Sequence, residues 1–273
     1  EIRSGDWSSD VCSSDLLNKH LFKFIKLTLS NTQQFKRLEV MQRFAIALLF
    51  ILVSGCASQA PWEKVDLDQQ AEAYTNLGMG YLNQGQINRG LINFKKALKA
   101  RPSYSEALHG TALALQQQGE FDLSERYFKK ALQTKGNETD VRNNYAAFLF
   151  NQSRYDEARK QLEIASKDIY YADRRLVFTN LGYVSIKLEQ TDKALGYFQQ
   201  ALVLDSTFIP PHRALLELFS KQQAWQQAEQ HWLALRDAQI NDETTLKQAL
   251  IVVQHTGNQK EARYINSLLN STN

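Results

Sequence analysis

The sequence is poor in cysteine and contains no long apolar run. Its two cysteines, Cys12 and Cys56, stand alone in separate segments, so no disulfide is available to the chain that follows Cys56. The longest uncharged apolar run, residues 44–53, has ten residues, whereas a membrane-spanning helix needs roughly 20. These absences exclude a disulfide-rich scaffold and an integral helical membrane protein.

The chain also lacks a surplus of charge and the short motifs of catalytic sites. From residue 56 onward, 25 Lys+Arg stand against 24 Asp+Glu, a net charge of +1, which leaves no basic footprint for nucleic acid. No HExxH, CxxC, GxSxG, GKS or GKT pattern occurs, and the histidines from His109 to His255 have no metal-ligand spacing. We therefore expect no catalytic residue, metal, cofactor, nucleic acid or small-molecule substrate.

The first methionine, Met41, opens a segment typical of bacterial lipoproteins. Residues 1–40 are interpreted as a non-native leader, with a disordered leader as the alternative. Residues 41–55 then form a signal peptide, a short positive start followed by the apolar run. The run ends in Val-Ser-Gly-Cys, which matches the lipobox and predicts a covalent lipid on Cys56. The alternative is an ordinary secretory signal followed by a chance cysteine.

The residue after the lipobox cysteine indicates which membrane would hold the lipid anchor. Residue 57 is alanine and not aspartate. By resemblance to Gram-negative lipoproteins, this implies the periplasmic face of the outer membrane. Residues 56–70 are then expected to be a short lipidated tether.

A repeat fills the rest of the chain. YTNLG at residues 74–78 recurs as FTNLG at 178–182, an offset of 104 residues, or three units of 34 plus two. Within this frame, most residues at repeat positions 8 and 20 are small, which lets the two antiparallel helices of a unit approach closely. Most residues at position 24 are large and would fill the space between successive units. The frames begin near residues 71, 105, 139, 175, 209 and 243.

This pattern resembles the tetratricopeptide repeat over residues 71–273. The resemblance implies an all-α, right-handed superhelical solenoid of about six helix-turn-helix repeats. Leu216 and Leu250 depart from the small residue at position 8, so units five and six should pack less closely. Two extra residues near 166–174 predict a longer connection, in which Tyr170 and Tyr171 could face inward or outward.

In such a solenoid the first helix of each unit lines the concave groove, where a partner binds. Asparagines at position 6 could hold a partner backbone, or they could only cap loops or meet water. Apolar residues at positions 9 and 12 could form an exposed stripe for a partner helix, or be half-buried between first helices. The expected groove residues are Asn76, Met79, Leu82, His109, Leu113, Asn143, Asn144, Phe150, Asn180, Tyr183, Ile186 and Lys187.

From signal to last repeat, residues 41–273 resemble the type IV pilus biogenesis lipoproteins, the pilotin family of PilF and PilW. The resemblance implies a protein without enzymatic activity that binds secretin subunits and promotes their outer-membrane localisation and multimerisation. Two other functions remain open. One is a general envelope adaptor for peptidoglycan enzymes, and the other is a subunit of the outer-membrane protein insertion machinery.

Overall fold

The computed structural model describes residues 66–134, 136 and 138–271. Twelve α-helices joined by short connections form this part of the chain, and it contains no strand. The helices are α1 Leu67–Asn83, α2 Ile87–Ala100, α3 Ser105–Gln117, α4 Phe121–Leu132, α5 Glu138–Asn151, α6 Tyr155–Ala165, α7 Arg174–Lys187, α8 Thr191–Leu204, α9 Ile209–Lys221, α10 Trp225–Asp237, α11 Glu243–Thr256 and α12 Gln259–Ser271. The all-α solenoid expected from the repeat is confirmed.

The helices form six consecutive pairs, here called units one to six. Each helix packs against the next along the chain, and the first helices of several neighbouring units also touch, α1 with α3, α5 with α7 and α9 with α11. The first helices therefore form one face of the stack, here called the first-helix face, and the second helices form the other, the second-helix face. Each unit packs mainly against its neighbours, as a linear repeat array requires.

The small and large repeat positions account for this packing. The buried Ser124 at position 20 donates a hydrogen bond of 2.8 Å to the carbonyl of Ala112 at position 8, a contact that needs close helices. Large side chains at position 24 are each 0% exposed, and burial of such a side chain stabilises the fold by about 1.5–3 kcal/mol. They are Phe94, Phe128, Leu162, Phe198 and Trp232.

Glycines bring the helix backbones against two of these aromatic rings. The Phe94 ring lies between Gly78 of α1 and Gly110 of α3, where an added Cβ would be 2.6 and 2.5 Å from its Cε1. The Phe198 ring lies against Gly182 of α7 in the same manner, with a distance of 2.5 Å. These are positions at which only a residue without a side chain fits the ring as it stands.

The turn inside each unit has the same backbone conformation in all six units. The residue at repeat position 15 has a φ between 56° and 81° throughout. This left-handed region is unfavourable for residues with a side chain, and glycine occupies it without that cost. Glycine stands there in units one, two and six, whereas Ser153, Glu189 and Gln223 stand there in the others.

The longer connection between units three and four lies at residues 166–173. Its two tyrosines differ. Tyr170 is 91% exposed, whereas Tyr171 is half-buried and donates a hydrogen bond to the Asp140 carboxylate of α5. Thr139 also donates to Asp168, at 2.7 Å. The connection is therefore attached to the start of α5 by side-chain hydrogen bonds.

Candidate protein-binding groove

A cavity of about 380 Å³ opens on the first-helix face between units three and four. It contains three of the expected groove residues, Phe150 of α5 with Asn180 and Tyr183 of α7. The other lining residues are Ala146, Ala147, Asn151, Leu162 and Val184. Most of the wall is apolar, and the amides of Asn151 and Asn180 supply polar groups, which is the usual composition of a specific binding site.

Close helix packing forms the back wall of this cavity. Ala146 and Gly182 occupy position 8 of units three and four, and both are buried. The Phe198 ring fills the space beside Gly182 and meets the Tyr183 ring edge-on at 5.3 Å. Tyr183 therefore rests on a buried ring that is itself held by a glycine contact.

The hydroxyl of Tyr183 is held as well. It donates to the Pro210 carbonyl at 3.3 Å, and burial raises the pKa of Tyr183 above its ordinary value. The phenol therefore stays protonated at neutral pH. Phe150 on the opposite wall meets Tyr155 edge-on at 5.3 Å. The aromatic walls are thus fixed before any ligand enters.

The asparagines of this face are joined in pairs across neighbouring units. The Asn180 side-chain amide donates to the Asn143 oxygen at 2.9 Å. Asn144 pairs with the His109 Nε2 atom at 3.1 Å. These bonds orient Asn144 and Asn180 but leave the oxygen of each amide able to accept from a peptide N–H. Asn143 is only 7% exposed, so it orients Asn180 and does not itself line the groove.

His109 is held in its neutral form. Burial lowers its pKa to about 4, and the charge of Asp140 offsets only part of this effect. A neutral imidazole can accept a hydrogen bond at Nε2, and the Asn144 amide nitrogen donates that bond. The ring also lies against the buried Phe128 ring, with 6.0 Å between centroids.

The expected apolar stripe is not continuous. Leu82 is 4% exposed and belongs to a buried cluster with Phe94 and Ala114, so it cannot contact a partner. Its burial corrects the expectation that it lines the groove, because α3 packs against α1 and covers it. Met79 and Leu113 are half-buried against the same cluster.

The remaining expected residues are spread along the face. Ile186 is half-buried against the cluster that contains Phe198. Asn76, in α1 of unit one, and Lys187, the last residue of α7, are exposed. Cys56 lies outside the described residues. The structure therefore brings three of the twelve expected groove residues together at the cavity between units three and four, and the other nine lie elsewhere.

Five residues that line the cavity are not among the expected groove residues, and for two of them the repeat register contains a signal. Ala147 and Asn151 occupy positions 9 and 13 of unit three, both of which face the groove. Ala147 is small and exposed, and its residue type alone does not indicate a contact residue. Its small size is what leaves the cavity open.

Two further searches of the described part of the chain concern metal sites and membrane-spanning helices. Within residues 66–134 and 138–271, no group of three or more His, Cys, Asp or Glu side chains could hold a metal ion. None of the helices α1 to α12 has the length and apolar character that crossing a bilayer requires.

Known proteins resemble this chain in sequence and in fold. Residues 86–204 match the tetratricopeptide repeat family. The type IV pilus assembly protein PilF of Pseudomonas aeruginosa is 32% identical in an alignment of length 193, which covers 68% of this chain and 77% of that protein. The chain belongs to the PilF family.

Solved structures agree with this membership. The Pseudomonas aeruginosa PilF structure is 28% identical, with a TM-score of 0.71 over 76% of this chain and 93% of that one. PilW, described as a widely conserved type IV pilus biogenesis factor, is 21% identical and has a TM-score of 0.65 over 74% of this chain and 92% of its own. The PilW likeness supports the fold alone, whereas PilF is similar in both sequence and fold.

Proposed function

We propose that this protein is a lipid-anchored outer-membrane pilotin, which binds secretin subunits and promotes their localisation and multimerisation during type IV pilus assembly. The observation that carries the proposal is membership of the PilF family, with 77% of the pilus assembly relative covered by the match. The lipobox that ends at Cys56 supports the anchor. The cavity on the first-helix face supplies a site for a protein segment.

The cavity suits a bulky apolar side chain on a peptide. Phe150, Tyr183 and Val184 provide apolar contact, and burial of apolar surface is the main source of affinity in such anchors. The Asn151 and Asn180 amides can pair with the peptide groups on either side of the anchor. Because the aromatic walls are already held in place, little side-chain entropy is lost on binding.

The first experiment tests the anchor and the secretin together. Outer-membrane fractions of a deletion strain are blotted for secretin without boiling, beside strains complemented with wild type or Cys56→Ser. We expect the heat-resistant multimer to disappear on deletion, to return with wild type, and to be misplaced with Cys56→Ser. An unchanged secretin ring in every strain would refute the proposal and direct attention to peptidoglycan enzymes.

The second experiment tests the cavity. Ala147 is exposed at the cavity mouth, so Ala147→Arg places a long charged side chain over the apolar walls without disturbing a buried contact. We expect secretin binding to weaken at least about 10-fold, which is about 1.4 kcal/mol. Ala238→Arg adds the same side chain at an exposed alanine after α10 and should bind normally. Equal binding by both variants would show that the partner sits elsewhere.

A further inference from the structure

A second groove lies on the opposite side of the units, between the second helices α2 and α4. Two adjoining cavities of about 500 and 350 Å³ share Leu98 and Tyr127 and run along these helices. Helix α3 packs between α2 and α4 and closes the bottom of the groove. This surface, here called the second-helix groove, contains none of the residues that line the cavity between units three and four.

The second-helix groove is apolar inside. Leu108 and Leu115 of α3 form a buried floor, 5% and 6% exposed. The walls are half-buried side chains from both second helices. They are Leu91, Leu98, Leu123 and Tyr127.

The rim of this groove is basic. Helix α2 contains Arg89, Lys95, Lys96 and Lys99 but neither aspartate nor glutamate. Residues 87–134 have eight Lys+Arg and four Asp+Glu, a net charge of +4, whereas the chain from residue 56 onward has only +1. Three of these basic residues, Lys95, Lys99 and Lys130, line the groove, and no aspartate or glutamate is among its lining residues.

The lysines at the rim are available to a ligand. Lys95 and Lys99 are exposed, line the larger cavity and form no ion pair with any carboxylate in the described residues. Lys130 lines the smaller cavity, with its ammonium 5.0 Å from the centre of the Tyr127 ring. Unpaired lysines beside an apolar recess fit a ligand that is apolar on one side and acidic on the other.

We propose that the second-helix groove binds an acidic amphipathic helix of a partner protein. A helix laid between α2 and α4 would extend the ridge-into-groove packing of the stack and insert apolar side chains at i, i+3 or i+4 and i+7. Its glutamates or aspartates would meet Lys95, Lys99 and Lys130. The groove is a recess with a buried floor, which separate side chains can enter but a bilayer surface cannot.

The probe is a fluorescent peptide of about 18 residues, long enough for three anchors, with leucines on one face and glutamates on the rest. Its binding to the full-length protein is followed by fluorescence anisotropy at low and high salt. One control peptide has lysine for glutamate, and another has serine for leucine. A benzophenone on the apolar face locates the bound peptide by cross-linking.

We expect the acidic amphipathic peptide alone to bind, more weakly at high salt, and to cross-link within residues 91–134. Lys95→Glu with Lys99→Glu should weaken binding at least about 10-fold, because two attractions become repulsions. Lys160→Glu with Lys193→Glu changes the net charge equally at exposed sites on α6 and α8 and should leave binding unchanged.

Three results would overturn the inference. One is that the serine peptide binds as tightly as the leucine peptide, because binding would then depend only on non-specific charge attraction. Another is equal loss in both double variants. The third is displacement of the peptide by short-chain phosphatidylglycerol together with cross-links outside the groove, which would assign the basic rim to lipid headgroups. Circular dichroism checks that each double variant is folded.

Discussion

Replacing Gly182 with alanine tests how closely the first and second helices of unit four must approach. The new Cβ would lie 2.5, 2.6 and 2.8 Å from three atoms of the Phe198 ring. Ordinary carbon contacts are about 3.5–4.0 Å, so the ring or the helix must move by about 1 Å. Phe198 is 0% exposed, so its ring cannot turn out into solvent.

Two opposing effects set the magnitude. Alanine in a helix interior is favoured over glycine by about 1 kcal/mol, whereas an extra methyl group in a packed core costs about 1–3 kcal/mol. We therefore expect Gly182→Ala to lower the free energy of unfolding by up to about 2 kcal/mol. Gly80 and Gly196 are also helical, but an added Cβ meets nothing within 4 Å at either. Alanine at Gly80 or Gly196 should therefore raise the free energy of unfolding by about 1 kcal/mol.

The assay is urea unfolding of the three alanine variants, followed by far-UV circular dichroism. A further variant combines Gly182→Ala with Phe198→Leu, which makes room for the methyl group, so the pair should be less destabilised than the sum of the single changes. If Gly182→Ala stabilises the protein as much as Gly80→Ala does, the contact between Gly182 and the Phe198 ring leaves room for a methyl group, and the packing argument is wrong.

Two further predictions concern the turns and the histidine of the first-helix face. Gln223→Gly, at a φ of 56°, should raise the free energy of unfolding by about 0.5–1 kcal/mol in thermal melts. Gln230→Gly, at an exposed position in the interior of α10, should lower the free energy of unfolding by about 1 kcal/mol. A change of the same sign in both variants would contradict the turn strain. Burial lowers the pKa of His109 to about 4 from 6.5, so the unfolded chain binds this proton more strongly. Stability should therefore be full above pH 6.5 and fall as the pH drops toward 4, by roughly 2 kcal/mol at about pH 5. Urea unfolding of His109→Gln should show less of this loss, and an unchanged pH dependence would assign it to other groups.

The features that could be predicted from the sequence are those set within one helix pair. Small residues at positions 8 and 20 determine how near two helices lie, and Ala158 and Ala194 are buried as that reasoning requires. The longer connection near residue 170 follows from the same register, because two added residues cannot be absorbed inside a helix pair.

The details of the groove could not be predicted, because they depend on how one unit is rotated against the next. That rotation buries Leu82 beneath α3, and it places the Asn143 oxygen within 2.9 Å of the Asn180 amide. A repeat pattern describes each unit separately and contains no value for this angle. The same limit explains why Ala147, an ordinary small residue in sequence, becomes the mouth of a cavity.

The shared turn conformation at repeat position 15 offers a practical use. Gly85, Gly119, Ser153, Glu189, Gln223 and Gly257 adopt it in every unit, although their side chains have little in common. Tolerance of such different residues indicates that packing of the helices, rather than local residue choice, imposes the bend. Single cysteines at Ser153, Glu189 and Gln223 could then carry dyes at regular intervals along the array. With a donor dye at one of these positions and an acceptor dye at another, energy transfer would report whether the distances along the array change when a partner binds.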